Sequence, residues 1–230
     1  MEFTDSENGI CFKFIPKIVT SFDQISKQKL ILKNDVFEKY EADTNIKGEL
    51  LVCKNTNKLK KHSKVVIRET YDEYLQFIQN RDFEKDRWIY NIIDGLDEQD
   101  KILYKDIECV IVPTYTWDGN NIQKLHILCL HTNKTKRCLR DLTAYDIPWL
   151  IYIQKKTISV IKTNYGLNEE KIKAFIHYEP STYHLHIHFV NVEYVECASS
   201  VEYSHDLNSV IFNLSLDSDY YKKIVLNKRI

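Results

Sequence analysis

At 230 residues, 43% apolar and 28% charged, the chain is long enough for a real core and too apolar for disorder. With 32 Lys and Arg against 33 Asp and Glu, the net charge is −1. No global basic field draws it to DNA or an anionic membrane, so a phosphate-rich ligand must be held by local chemistry. The five glycines (Gly9, Gly48, Gly95, Gly119 and Gly166) never cluster, which excludes a P-loop, a dinucleotide fingerprint and a kinase glycine loop. The six cysteines contain no C-x-x-C pair. Cys109 and Cys129, inside apolar runs, read as buried hydrophobes in a reducing compartment. The acidic N-terminus has no apolar h-region and no stretch is long and apolar enough to span a membrane, so cytoplasm or nucleus is the expected location.

Three short apolar segments (Cys11–Ile15, Lys29–Leu32 and Glu49–Val52) predict a short β-rich N-terminal domain over 1–53, with one helix near Ser21–Gln28. The basic stretch from Lys54 to Lys64 has almost nothing to bury, and a hinge is expected over 54–70. From 71 to 230 a larger domain begins with helical spacing at Tyr71–Asn80 and Asp86–Ile93. Strand-like runs at Ile107–Val112 and Leu125–Leu130 flank the turn Pro113–Asn121. Thr143 with Asp146 three residues on is a capping signal for a long helix that tolerates Pro148 early and stops at Gly166. Strands at Ile172–Tyr178 and Tyr183–Val190 and a helix over Val201–Leu214 follow. The class expected is α+β, with an antiparallel sheet beside a long helix.

Five of the eight histidines lie between His177 and His205, and three alternate: His184-Leu-His186-Ile-His188. On a strand that puts three imidazoles on one face and Leu185, Ile187 and Phe189 on the other. Such a row serves either a metal or phosphate chemistry. A metal site usually recruits a nearby carboxylate or cysteine, and the next acidic residue here is Glu193. Phosphate chemistry needs only an imidazole nucleophile and converging donors, without a metal or other cofactor.

His-x-His-x-His followed by two apolar residues resembles the histidine-triad hydrolases. The longer string His177-Tyr-Glu-Pro-Ser-Thr-Tyr-His-Leu-His-Ile-His-Phe189 resembles the scavenger mRNA-decapping family within them. Arg68-Glu-Thr70, Trp88-Ile-Tyr-Asn-Ile-Ile-Asp94 and Arg140-Asp-Leu-Thr143 extend the likeness from about Lys58 to Leu214, while the first fifty-odd residues resemble it poorly. The resemblance implies a HIT-like C-terminal domain, a homodimer and an N-terminal unit that closes over the site. It also implies metal-free hydrolysis of the triphosphate in cap dinucleotides and short capped RNA fragments, giving 7-methyl-GMP and a diphosphate. By position it makes His186 the nucleophile and His184 its orienting neighbour. His177, Pro180, Ser181, Thr182, Tyr183, His188 and Lys58 would line the phosphates. Trp88 and Glu98 would hold the methylated base, an aromatic face and a carboxylate suited to a cationic ring. Where the family reads Asp-x-Lys-Trp, this chain reads Thr114-Tyr-Thr-Trp117, two hydroxyls in place of two charges. Tyr203 likewise replaces an arginine. A catalytically silent cap-binding homologue is therefore a second reading. A generic dinucleoside polyphosphate hydrolase, which needs no methylguanine cage, is a third.

Overall fold

The computed structural model describes five strands within residues 2–53, then residues 66–194, 199 and 201–229. The chain divides into two compact units, Met1–Ser63 and Lys64–Ile230. The first is an antiparallel sheet of β1 (Glu2–Asp5), β2 (Ile10–Phe14), β3 (Ser26–Lys33), β4 (Phe37–Asp43) and β5 (Gly48–Cys53), in the order β1-β2-β5-β4-β3. Of the helix expected near Ser21–Gln28, residues 21–25 lie outside the described residues. Ser26–Gln28 instead open β3, where pairing to Asp43 and Ala42 overrides local propensity. The basic stretch 54–64, with Lys58, also lies outside them.

The second unit is built on a six-stranded antiparallel sheet in the order β12-β10-β11-β9-β8-β7. Its strands are β7 (Tyr104–Lys105), β8 (Cys109–Pro113), β9 (His126–His131), β10 (Ile172–His177), β11 (His186–Asn191) and β12 (Ser204–Asp206). The helices are α1 (Tyr71–Asn80), α2 (Arg87–Asp94), α3 (Ile147–Tyr165), α4 (Leu207–Leu216) and α5 (Tyr220–Lys223). Architecture and class are α+β, as the alternation of period-two and helical segments predicts.

The two faces of this sheet are covered differently. On one, Cys109, Ile111, Ile127, Cys129, Ile187 and Phe189 form the main core with Leu150, Ile153 and Ile161 of α3 and Leu207, Val210 and Leu214 of α4. On the other, Val110, Val112 and Leu130 pack against Ile89, Ile92 and Ile93 of α2. That second face also carries the histidines, because His186 and His188 stand opposite Leu130 and Leu128 in register.

Helix ends follow the sequence closely. Thr70 and Glu73 close a capping box on α1, and Thr143 and Asp146 close another at the short turn leading into α3. Gly166 ends α3 at φ +67°. Most element ends in this unit fall within two residues of expectation, and two starts differ by more. The last helix starts at Leu207, not Val201, because Ser204–Asp206 pairs with β10 and the Asp206 carboxylate accepts from Ser209 N–H at 2.9 Å. The histidine strand starts at His186, not Tyr183. Leu185 still accepts from His131 N–H in register, but its own N–H turns to the Lys136 carbonyl and the His131 carbonyl takes His184 Nε2, so reciprocal pairing begins only at His186.

One buried charge ties the ends of the unit together. Arg140 is fully buried, and its guanidinium donates to the carbonyls of Glu69, Tyr221 and Ile224 at 2.6–2.7 Å and to Tyr178 Oη at 3.3 Å. Glu69 sits on β6 (Val66–Glu69), which pairs with β13 (Leu226–Arg229). Its carboxylate faces Arg140 at 3.9 Å, accepts from Tyr178 Oη, and meets Lys228 at 3.4 Å. Removing the guanidinium takes a donor from three buried carbonyls and one of its two cations from the buried Glu69 carboxylate. Arg140→Met is therefore expected to lower stability by about 3–5 kcal/mol in urea unfolding; a loss below 1 kcal/mol would refute this role.

Candidate active site

The imidazoles gather at the middle of the sheet. His188 has the rings of His177 and His186 at 4.1 and 4.9 Å, and Phe175 of β10 lies parallel to it at 5.2 Å. Tyr203 adds a ring 4.6 Å from His177. His184 lies just before the strand, edge-on to Tyr90 of α2 at 5.4 Å.

Hydrogen bonds fix the protons. His186 Nδ1 lies 2.7 Å from the His184 carbonyl, which can only accept. Nδ1 must therefore carry the proton, and Nε2 keeps its lone pair. His184 Nε2 likewise donates to the His131 carbonyl at 2.6 Å, and His131 is itself stacked on Trp149 at 4.1 Å. His126 Nε2 and His188 Nδ1 share one proton at 2.8 Å. The far nitrogens His184 Nδ1 and His188 Nε2 are buried without a partner. A buried polar atom left unpaired costs free energy that a ligand can return.

Burial also sets charge. Desolvation lowers His184 to about 4 and His126 to about 3, and places His188 well below its ordinary value. His186 is lowered too, again mainly by burial; the His184 carbonyl and the carboxylate of Asp86 act in the opposite direction. At neutral pH these four imidazoles are thus uncharged. One of them offers a free Nε2 lone pair, the form a nucleophile requires.

The turn between β10 and β11 is braced from below. Tyr183, buried against Phe77 at 5.3 Å and under the Arg81 guanidinium at 4.5 Å, donates to Glu179 at 2.9 Å. Glu179 in turn pairs with Lys228 at 3.0 Å. Pro180 and Thr182 are buried and Ser181 is exposed. Thr114 is buried, donates its N–H to the His126 carbonyl, and has its hydroxyl 3.1 Å from that of exposed Thr116.

Trp88 stands on the outer side of α2 and is 41% exposed. Gly95, at φ +81°, ends that helix, with Leu96 N–H returning to the Asn91 carbonyl at 2.8 Å. The chain then places Glu98 at φ +50°, the sole positive value at a non-glycine residue among the described residues. Such a conformation is costly for glutamate and clusters at functional positions. Its carboxylate meets Lys101 at 3.2 Å. Trp88 is on α2 and Glu98 just past its end, and among the described residues no hydrogen bond, ion pair or ring contact joins them to each other or to the histidines. Tyr90 is the link from α2 to the histidine row.

Sequence reasoning missed His126 and Lys173. His126 is a lone histidine in an apolar strand, and only its register opposite Val190, two residues past His188, brings it to the cluster. Lys173 stands in the same row, opposite Val190 from the other side.

The buried imidazoles give stability a pH slope. Unfolded histidines take up protons below about 6.5, while His184 in the fold resists until about 4. Between those values the unfolded chain binds more protons, so stability is full above 6.5 and falls as pH drops. His184 alone is expected to cost about 2–3 kcal/mol by pH 4.5. Thermal melts from pH 7.5 to 4.5 should show a falling midpoint, and His184→Asn should flatten the slope. An unchanged slope would remove His184 as its source.

Comparison with known proteins places this geometry. The family described as "Scavenger mRNA decapping enzyme C-term binding" matches residues 87–203. A protein of Ascaris suum named m7GpppX diphosphatase is 33% identical over 98% of this chain and 82% of its own length. Proteins of that name from Caenorhabditis elegans and Homo sapiens are 32% and 31% identical, covering 85% and 70% of this chain and 68% and 50% of theirs. Among solved structures, "Hnt3 in complex with DNA and guanosine" matches with a TM-score of 0.39 and 14% identity, over 58% of this chain and 79% of that one. The coverage of the Ascaris relative, together with a family match centred on the histidine face and α2, shows that the chain belongs to the scavenger mRNA-decapping enzymes.

Proposed function

We propose that this protein hydrolyses the 5′–5′ triphosphate of 7-methylguanosine cap dinucleotides and short capped RNA fragments. The observation that carries the proposal is the His186 Nδ1–H bond to the His184 carbonyl, which leaves Nε2 unprotonated and free. In the reaction, Nε2 forms a bond to the phosphorus next to methylguanosine as the P–O bond to the departing diphosphate breaks. Water then displaces the imidazole, giving 7-methyl-GMP. His188 and His177, within ring contact of one another, would line the phosphates. The C-terminal domain is then a histidine-triad hydrolase domain whose chemistry runs on imidazoles alone.

The name shared by the relatives supports the methylated cap as substrate. Trp88 supports it as well: a large aromatic face left in solvent on α2 suits stacking on a cationic base. Glu98, held in an unfavourable backbone region, supplies the carboxylate for the base's N–H donors.

A specific observation keeps a second reading alive. The hydroxyls of Thr114 and Thr116 satisfy each other and supply no charge to a leaving diphosphate, which favours a silent cap binder. His186→Asn separates the readings. It removes the nucleophile but keeps a hydrogen-bonding side chain of similar size. Wild-type protein should release 7-methyl-GMP from cap dinucleotide, and the variant should show background turnover with cap affinity retained. A wild-type protein that binds cap tightly and releases nothing would establish the binder. Trp88→Ala should weaken 7-methyl-GMP binding by about 1–3 kcal/mol in fluorescence titration. Equal affinities for 7-methyl-GMP and GMP in wild type would instead favour a generic nucleotide hydrolase.

A further inference from the structure

The sheet face that carries His186 has an electrostatic peculiarity. Four of its imidazoles, His126, His184, His186 and His188, are neutral at physiological pH. Beside them stand the uncharged Thr114, Leu128, Leu130, Val190 and Phe175, while Asp206, opposite Phe175, spends its carboxylate on Ser209. A polyphosphate is strongly anionic, and neutral donors hold it about half as strongly as charge-assisted ones. Two lysines on sheet strands lie on this face among the described residues. Lys105, opposite Val110 on the edge strand, donates to the Ile93 carbonyl at 2.8 Å and so caps α2 from beneath. Lys173 is the other.

Lys173 stands in one row of the sheet with Val190, His126 and Thr114: Val190 is opposite both Lys173 and His126, and Thr114 N–H bonds the His126 carbonyl. That row is one step along the strands from His188 and two from His186. The Lys173 ammonium is half-buried and its partners are neutral, the Tyr194 carbonyl at 3.4 Å and Ser199 Oγ at 2.9 Å. Among the described residues no carboxylate pairs with it. Its field is felt in the site, where it disfavours protonation of His126. A half-buried cation with no counter-ion among the described residues, beside neutral imidazoles, is a binding element for an anion.

We infer that Lys173 binds a phosphate of the substrate, one beyond the phosphate that His186 attacks, and supplies the positive charge that the histidine face lacks. The inference rests on the proposed reading for the nucleoside, but not for the phosphates. It gives Lys173 a share in holding the departing diphosphate, because the row of Lys173 lies past His188 and away from the nucleophile.

The test compares wild type, Lys173→Gln and Lys173→Arg by calorimetric titration with inorganic tripolyphosphate, 7-methyl-GTP and 7-methyl-GMP. Lys173→Gln should bind tripolyphosphate and 7-methyl-GTP about tenfold more weakly, with 7-methyl-GMP affected less than twofold. Lys173→Arg should restore most of the loss. The salt dependence of 7-methyl-GTP binding should also become shallower in Lys173→Gln alone. Equal weakening of all three ligands in both variants would mean that Lys173 only supports the segment of Tyr194 and Ser199, and would overturn the inference. So would unchanged binding throughout. A wild type that binds tripolyphosphate through Lys173 but no methylguanine nucleotide would leave the phosphate site standing and sink the cap reading instead.

Discussion

The buried guanidinium of Arg140 is the constraint on which the rest of the catalytic unit hangs. An unpaired charge at that depth would be prohibitive, so three backbone carbonyls and one carboxylate must converge on it. Those partners come from β6, from α5 and the residue after it, and from the start of the turn between β10 and β11. Satisfying one side chain therefore brings both ends of the second unit together. The same network reaches the site: Glu69 accepts from Tyr178, Lys228 links Glu69 to Glu179, and Glu179 takes the hydroxyl of Tyr183. The turn that precedes the histidines is thus held by charge from below, with its backbone fixed before any ligand arrives.

Above that foundation, desolvation does the chemical selection. Three histidines on an exposed strand would titrate near neutrality and present mixed protonation states. Buried between α2 and the flanking strands, they stay neutral, and each backbone carbonyl they meet decides which nitrogen keeps its proton. His186 owes its free Nε2 to a carbonyl two residues earlier, just before its strand. That carbonyl lies just ahead of the full ladder, where Leu185 still accepts from His131 N–H but turns its own N–H to the Lys136 carbonyl.

Local signals in the sequence carried the helices well. Tyr71–Asn80 has its capping box and its apolar spacing in the same ten residues, and Gly166 closes α3 where a left-handed residue is needed. The alternation of His184, His186 and His188 likewise marked the candidate site without any fold. What escaped depended on pairing between distant segments. Ser204–Asp206 reads as the front of a helix until β10 supplies a partner. His126 reads as a lone polar residue until β9 sets it diagonally across from His188. Arg140 enters the sequence reading only through the likeness of Arg140-Asp-Leu-Thr143, since nothing local announces that Glu69, seventy-one residues earlier, waits beneath it.

The candidate site holds two opposing requirements, and its layout reconciles them. A nucleophilic imidazole must be uncharged, so its surroundings must be dry and poor in carboxylates and cations alike. A polyphosphate substrate needs positive charge close by. Putting a lysine beside His186 would depress imidazole basicity further and weaken the nucleophile. Placing the cation two rows along the same face keeps it within reach of an extended phosphate chain while the intervening imidazoles stay neutral. The sheet provides that spacing without further design, because alternate residues along a strand share a face at fixed intervals. Lys173 occupies such a position, and its neutral partners leave its charge available to an anion rather than cancelled within the protein.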